Sequence, residues 1–333
     1  MTQILPYNDA SIKIAAKAIS DGDVVAFPTE TVYGLGANAL DDKAIAKIFE
    51  IKKRPQHNPL IVHFHDKNIV EHYAEMNDTA RQLAAHFWPR PLTLVLPLRS
   101  DSGLSELCSA GLKTIAVRVP AHRTAQALLK MTGLPIAAPS ANLSGTVSAT
   151  SPVHVMKTLK GRVPYVLADG FADIGLESTI IDLSTETPCL LRYGSITQKQ
   201  IEDDLGRKID VFDSAQHIKK PKSPGQLLKH YAPSIPVRLN AVDVEEGEAL
   251  LAFGSTKFMG LRSGGHVSIM PSASKLNLSE EGDLYEAASN LFKMLHDLDI
   301  KDHSAIAVMP IPKMGLGLAI NDRLERAAAA TKI

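Results

Sequence analysis

Between Val24 and Tyr193 short apolar segments are interspersed with helical stretches but keep no strict βαβ rhythm, and that arrangement decides the fold class. VVAF (24–27), LIVHF (60–64), LTLVLPL (92–98), TIAVRVP (114–120), PIAAP (135–139), YVLAD (165–169), STIIDL (178–183) and CLLRY (189–193) read as strands. Helical spacing occurs over 11–20, 41–53, 79–87, 122–132, 151–159 and 197–205. Asp9 or Ser11 is the expected N-cap of the first helix, and Gly22 lies just past its end. Several strands follow one another directly, so the pattern predicts an α/β fold with a mixed sheet and helices packed on it.

The texture changes between Asp213 and Pro236, where four prolines, four lysines and one acid fall in 24 residues. This stretch reads as a linker between a domain at 1–212 and a smaller α/β domain at 237–333. The second domain offers strands at 249–253 and 305–311 and helices near 281–298 and 317–330. Two domains suit 333 residues. No apolar run approaches the roughly 18–20 residues of a membrane span. The start lacks a basic flank followed by an apolar block, so it reads as mature cytoplasmic sequence without a signal peptide. Cys108 and Cys189 form no C-x-x-C pair, which argues against a disulfide scaffold or a cysteine zinc site. Basic and acidic residues number 36 each, and stable nucleic-acid binding normally needs a basic excess.

Within FPTETVYGLGANAL (27–40), Gly34 and Gly36 belong to a G-x-G-x-x-A string, but six residues separate Phe27 from Gly34 and no acid follows at the right distance. A Rossmann nucleotide loop is a poor match there; the glycines would let the backbone turn or approach a ligand. No G-x-x-x-x-G-K-[ST] occurs, so a nucleotide triphosphate must be held without a P-loop. Lys52 and Arg54 would point to one side if the chain before Pro55 is extended. Taken alone, they read as a solvated basic helix end complementing the macrodipole. His63 and His65 share a strand face, but no third metal ligand stands nearby. In APSANLSGTVSATSP (138–152), Ser140 and Asn142 have the same two-residue spacing, in a hydroxyl- and amide-rich turn able to hold phosphate oxygens. An ordinary Ser/Gly turn before a helix is the plain alternative. Arg118 and Arg192 each interrupt an apolar strand, where an arginine needs an anion or must snorkel to water.

FPTETVYGLGANA, K-x-R-P-x-x-N-P-L-I-V-H (52–63), FWPRPLTLVL (87–96), AVRVP (116–120), APSAN-S-G (138–145) and EST-I-I-D (177–182) occur in the order found in the YrdC-like family. SPGQLLKHYAP (223–233) and GLGLAINDRLERAA (315–328) add the signatures of its long form. Over essentially its full length the chain resembles the two-domain L-threonylcarbamoyladenylate synthase family. The resemblance implies a YrdC-like mixed twisted sheet, a linker that flaps over the active site, and a C-terminal Rossmann-like domain. It implies that L-threonine, bicarbonate or CO2 and ATP give threonylcarbamoyl-AMP and pyrophosphate. The product would pass to the tRNA threonylcarbamoyl-transferase complex, which modifies tRNA next to the anticodon.

By the same resemblance Thr31, His63, Arg118, the Ala138 backbone and Ser178 would hold threonine. Lys52, Arg54, Asn58, Thr114, Ser140, Asn142, Ser148 and Arg192 would surround ATP, with Tyr231 covering the nucleotide. Lys52 and Arg54, together with Mg²⁺ brought by ATP, are the expected catalytic cations that stabilise the pyrophosphate leaving group; no organic cofactor is implied. Positioning should dominate the catalysis, with no single residue acting decisively through proton transfer. Neutral overall charge points to at most weak direct tRNA contact. The alternatives are an RNA-binding, translation-associated module and a related carbamoyl-adenylate enzyme with another acceptor.

Overall fold

The computed structural model describes residues 1–212, 221–225 and 230–331. The chain divides into two compact units, and the expected linker at 213–236 lies partly outside the described residues. The first unit comprises 1–144, 149–173 and 177–227; the second takes 145–148, 174–176 and 228–333.

In chain order the first unit contains β1 (Gln3–Pro6), α1 (Asp9–Ser20), β2 (Val25–Pro28), β3 (Tyr33–Asn38), α2 (Asp42–Lys52), β4 (Ile61–His63), α3 (Lys67–Val70), α4 (Asp78–Phe87) and β5 (Leu92–Pro97). There follow α5 (Glu106–Ser109), β6 (Thr114–Arg118), α6 (Arg123–Thr132), β7 (Ile136–Ala137), α7 (Pro152–Leu159), β8 (Tyr165–Ala168), β9 (Thr179–Asp182), β10 (Cys189–Arg192), α8 (Gln198–Leu205) and β11 (Asp210–Val211). The strands form one sheet in the order β1-β8-β2-β3-β7-β4-β6-β5-β9-β10-β11. It is mixed, as expected: β4 and β6 are parallel, for example, whereas β5 and β6 are antiparallel.

Two local expectations change. Asn8, not Asp9 or Ser11, is the N-cap of α1, its side chain accepting from the Ser11 N–H, because the helix starts at Asp9 and both of the expected caps lie inside its first turn. The segment holding Gly34 and Gly36 is not a turn but strand β3. A Cβ on Gly36 would stand 2.6 Å from the Phe27 ring on β2 and 2.8 Å from Ile136 Cγ2 on β7. The glycine therefore lets the neighbouring side chains cross the strand.

Strand alternation sorts the sheet's two faces. Val62, Leu94, Val117 and Ile181 share the large core that buries the apolar sides of α2 and α4. Ile61, Val95, Ala116, Ile180 and Leu191 form a smaller cluster on the opposite face. His63, Thr93, Arg118 and Asp182 have the same parity as that smaller cluster and lie on its face.

The second unit holds a parallel sheet in the order β12 (Val237–Arg238), β17 (Ile306–Val308), β14 (Ala249–Ala252), β16 (Lys275–Asn277). Beside it lie a small pair, β13 (Asp243–Val244) with β15 (Gly260–Leu261), and the helices α9 (Leu284–Leu298) and α10 (Leu316–Thr331). The two helices bury Leu291, Phe292, Leu295, Ile320 and Leu324. An all-parallel sheet covered by helices is the Rossmann-like arrangement expected for this part of the chain.

Candidate active site

Register brings the first group of polar residues together. His63 on β4 pairs with Arg118 on β6, and Arg118 pairs with Thr93 on β5, so three side chains stand abreast on one face. Arg118 is 3% exposed, which rules out snorkelling to water. Its Nη1 donates to Thr31 Oγ1 at 3.0 Å and its Nη2 to Glu30 Oε1 at 2.5 Å. Glu30 and Thr31 reach it from the turn between β2 and β3. There Thr29 Oγ1 donates to the Val32 carbonyl and accepts from the Thr31 N–H, pinning the loop.

Thr93 and Ser178 share a hydrogen bond of 2.7 Å between hydroxyls. Arg192, also buried, donates to the Ser178 carbonyl, to Ser178 Oγ and to the Pro224 carbonyl. Lys222 Nζ reaches the buried Asp182 carboxylate at 2.9 Å, so residues 222–224 are tied to β9 and β10. The Ala138 N–H is donated to Ile61 at 2.9 Å, so a ligand would meet its carbonyl rather than its N–H.

Burial sets the charge state of His63. Loss of water and the nearby Arg118 cation push its pKa down to about 3, so the imidazole is neutral. Three buried atoms in this group meet no hydrogen-bond partner among the described residues: Glu30 Oε2, Arg118 Nε and His63 Nδ1. They offer an acceptor, a donor and a neutral ring nitrogen.

A second group forms where α2 ends. Lys52 occupies the last turn and Lys53 adopts a left-handed conformation with φ 51°, so the expected extended pairing of Lys52 and Arg54 does not occur. Nor is this a solvated helix end, since Lys52 is 1% exposed and Arg54 8%. The Lys52 ammonium donates to the carbonyls of Ser140 and Asn142, while the Ser144 N–H returns to the Lys52 carbonyl. Burial, with Arg54 adding repulsion, lowers the Lys52 pKa well below the usual lysine value. Arg54 donates to the Asn58 and Pro59 carbonyls, and Asn58 Oδ1 is buried without a partner among the described residues. These buried cations cannot line an exposed groove for RNA.

Thr114 opens β6 on the same strand face as Arg118, roughly 13 Å away by strand rise. Ser148 and Tyr231 belong to the second unit. The Ser148 carbonyl lies 3.1 Å from His296 Nε2, and the Tyr231 ring stacks on Phe292 with Arg323 5.6 Å from its centroid. Reading the sequence picked out Thr31 but missed Glu30 beside it, and missed Thr93 and Asp182. Their signal was present in the polar interruptions of otherwise apolar strands and in the T-E-T turn. Among the described residues no three His, Cys, Asp or Glu side chains gather to hold a metal ion. No helix among them is long and apolar enough to cross a membrane.

Residues 17–194 match the Sua5, YciO and YrdC family model described as telomere recombination, and residues 196–329 match the threonylcarbamoyl-AMP synthase C-terminal domain. A threonylcarbamoyl-AMP synthase of Bacillus subtilis is 39% identical, covering 100% of this chain and 97% of its own. One from Pyrococcus abyssi is 41% identical over 95% of this chain and 94% of its own. The solved structure of P. abyssi Sua5 complexed with L-threonine superposes with a TM-score of 0.88 at 37% identity, covering 99% of this chain and 98% of that one. Two domain matches in sequence, full-length relatives and a full-length structural likeness agree: the chain belongs to the two-domain threonylcarbamoyl-AMP synthase family.

Proposed function

We propose that the chain joins L-threonine, bicarbonate or CO2, and ATP into L-threonylcarbamoyl-AMP and pyrophosphate. The observation that carries this reading is the buried Arg118 set, in which a cation, an anion, a hydroxyl and a neutral imidazole converge within a family of that activity. Arg118 would bind the threonine carboxylate, with Thr31, His63, Ser178 and the Ala138 carbonyl around the rest of the amino acid. Two N–H donors in a fixed fork match a carboxylate better than a single point charge does.

The threonine amine takes up CO2 to form a carbamate. A carbamate oxygen then attacks the α-phosphorus, and the bond from that phosphorus to the pyrophosphate oxygen breaks. Charge grows on the leaving group, and Arg54, Asn58, Ser140, Asn142 and Arg192 are the residues we assign to the nucleotide, with Thr114, Ser148 and Tyr231. Lys52 is assigned there too, but its held ammonium acts best by fixing the carbonyls of 140–142, so that this turn keeps one shape. The protein groups around the nucleotide are cationic or neutral and suit a polyanion, not a resident metal. Mg²⁺ would therefore arrive as part of the MgATP substrate.

The product is an activated acyl-adenylate, which suits transfer to an adenosine amine of tRNA by a partner transferase complex in the cytoplasm. With 36 basic and 36 acidic residues and its central cations buried, this chain would hold tRNA weakly at most. The test is pyrophosphate release from MgATP with threonine and bicarbonate each supplied or omitted. Release that needs both is the expected result. Release with neither makes the protein an ATPase, and release with another amino acid names a different acceptor.

A further inference from the structure

We propose that Glu30 is the specificity-determining residue that recognises the α-amine of the substrate; this deepens the threonine reading above and rests on it. Carboxylate and ammonium of an α-amino acid sit on the same carbon, so the anion that reads the amine must stand beside the cation that reads the acid. Glu30 does so, because one of its oxygens is hydrogen-bonded to the edge of Arg118. Its other oxygen, Oε2, is buried and meets no partner among the described residues. A buried carboxylate oxygen left unpaired is costly, so its position calls for a donor from a ligand.

The two hydroxyls nearby are already engaged, and the Ala138 carbonyl, which stays open to a ligand, is uncharged. Thr31 Oγ1 bonds Arg118 and Thr29, and Ser178 Oγ bonds Thr93 and Arg192. His63 is neutral and offers no charge to an ammonium. Within this group Glu30 carries the negative charge that an ammonium complements. The contact also survives the chemistry, since one N–H remains on the nitrogen after the amine becomes a carbamate and after the carbamate is adenylated.

The test compares two ligands on the full-length protein by calorimetry: L-threonine, and (2S,3R)-2,3-dihydroxybutanoate, which carries a hydroxyl in place of the amine. Wild type should prefer threonine by about tenfold or more, the worth of a charge-assisted hydrogen bond. Glu30→Gln keeps an oxygen for Arg118 and nearly the same volume. It should weaken threonine by about tenfold while leaving the dihydroxy acid within about twofold, so that the preference collapses. Equal weakening of both ligands would mean that Glu30 only positions Arg118, and would overturn the proposal. Equal affinity of wild type for the two ligands would overturn it without any variant. If neither ligand binds, the threonine reading itself falls and takes this inference with it. A thermal melt of the variant identifies a folding failure, in which case the wild-type preference alone decides.

Discussion

His63 is charged in an unfolded chain below about pH 6.5 but stays neutral in the fold down to about 3, because it is buried beside Arg118. Between those values the unfolded state binds the extra proton, so this residue makes stability fall as the pH falls. The slope is at most one proton, about 1.4 kcal/mol per pH unit. His63→Gln takes up no proton. From pH 6.5 to pH 5 it should therefore lose roughly 2 kcal/mol less stability than wild type, read from urea midpoints. Equal losses would mean that the ring is already protonated in the fold. Arg118 acts on the same face through charge. Arg118→Ala strands the Glu30 carboxylate in a buried site, and breaking such a pair costs about 3–5 kcal/mol. In kinetics the same change should raise the threonine KM far more than the ATP KM. Similar rises for both substrates would contradict the role given to Arg118.

Elements carry the next set of constraints, and they explain which parts of the fold were legible. β4, β5, β6, β9 and β10 could be read because they carry short apolar runs that are almost entirely buried. β3 could not, because Gly34 and Gly36 look like a turn until Phe27 and Ile136 are seen against them. The reason for those glycines lies in other strands. Gly36→Ala should therefore destabilise by about 1–3 kcal/mol through overpacking, although the backbone itself would accept alanine. A stability within about 0.5 kcal/mol of wild type would show that the Phe27 ring swings clear. Lys52 is the same lesson at a helix end. Local sequence reads it as solvated, while its carbonyl partners lie 88 and 90 residues away in the chain. Lys52→Met removes the hydrogen bonds to a part-buried Ser140 carbonyl and a buried Asn142 carbonyl and should lower stability by about 2–4 kcal/mol in urea unfolding. An exposed lysine at that position would change it by about 0.5 kcal/mol or less. Arg118 was legible as a charge inside an apolar strand. Glu30 was hidden in a polar turn, where a glutamate raises no question until its burial is known.

For the whole molecule, the assigned residues fall unequally on the two units: the threonine set and most of the nucleotide set belong to the first. Glu30, Thr31, His63, Arg118, Ala138 and Ser178 all belong to the first unit, which has its own extensive core. Ser148 and Tyr231, assigned to the nucleotide, belong to the second, where His296 bonds the first and Phe292 stacks on the other. On these assignments the substrates separate on truncation. Removing residues 237–333 takes away His296, Phe292 and Arg323 but none of the threonine set. The shortened chain, shown by circular dichroism to keep its secondary structure, should bind L-threonine within about threefold of the full protein while its kcat/KM for ATP falls by about tenfold or more. Full turnover by the shortened chain would take the second unit out of nucleotide handling. Loss of threonine binding would mean that the first unit's polar face depends on the second for its shape. The predicted split follows from where the residues fall along the chain, since the deletion strips the packing from Ser148 and Tyr231, which remain, and removes no neighbour of the threonine set named above.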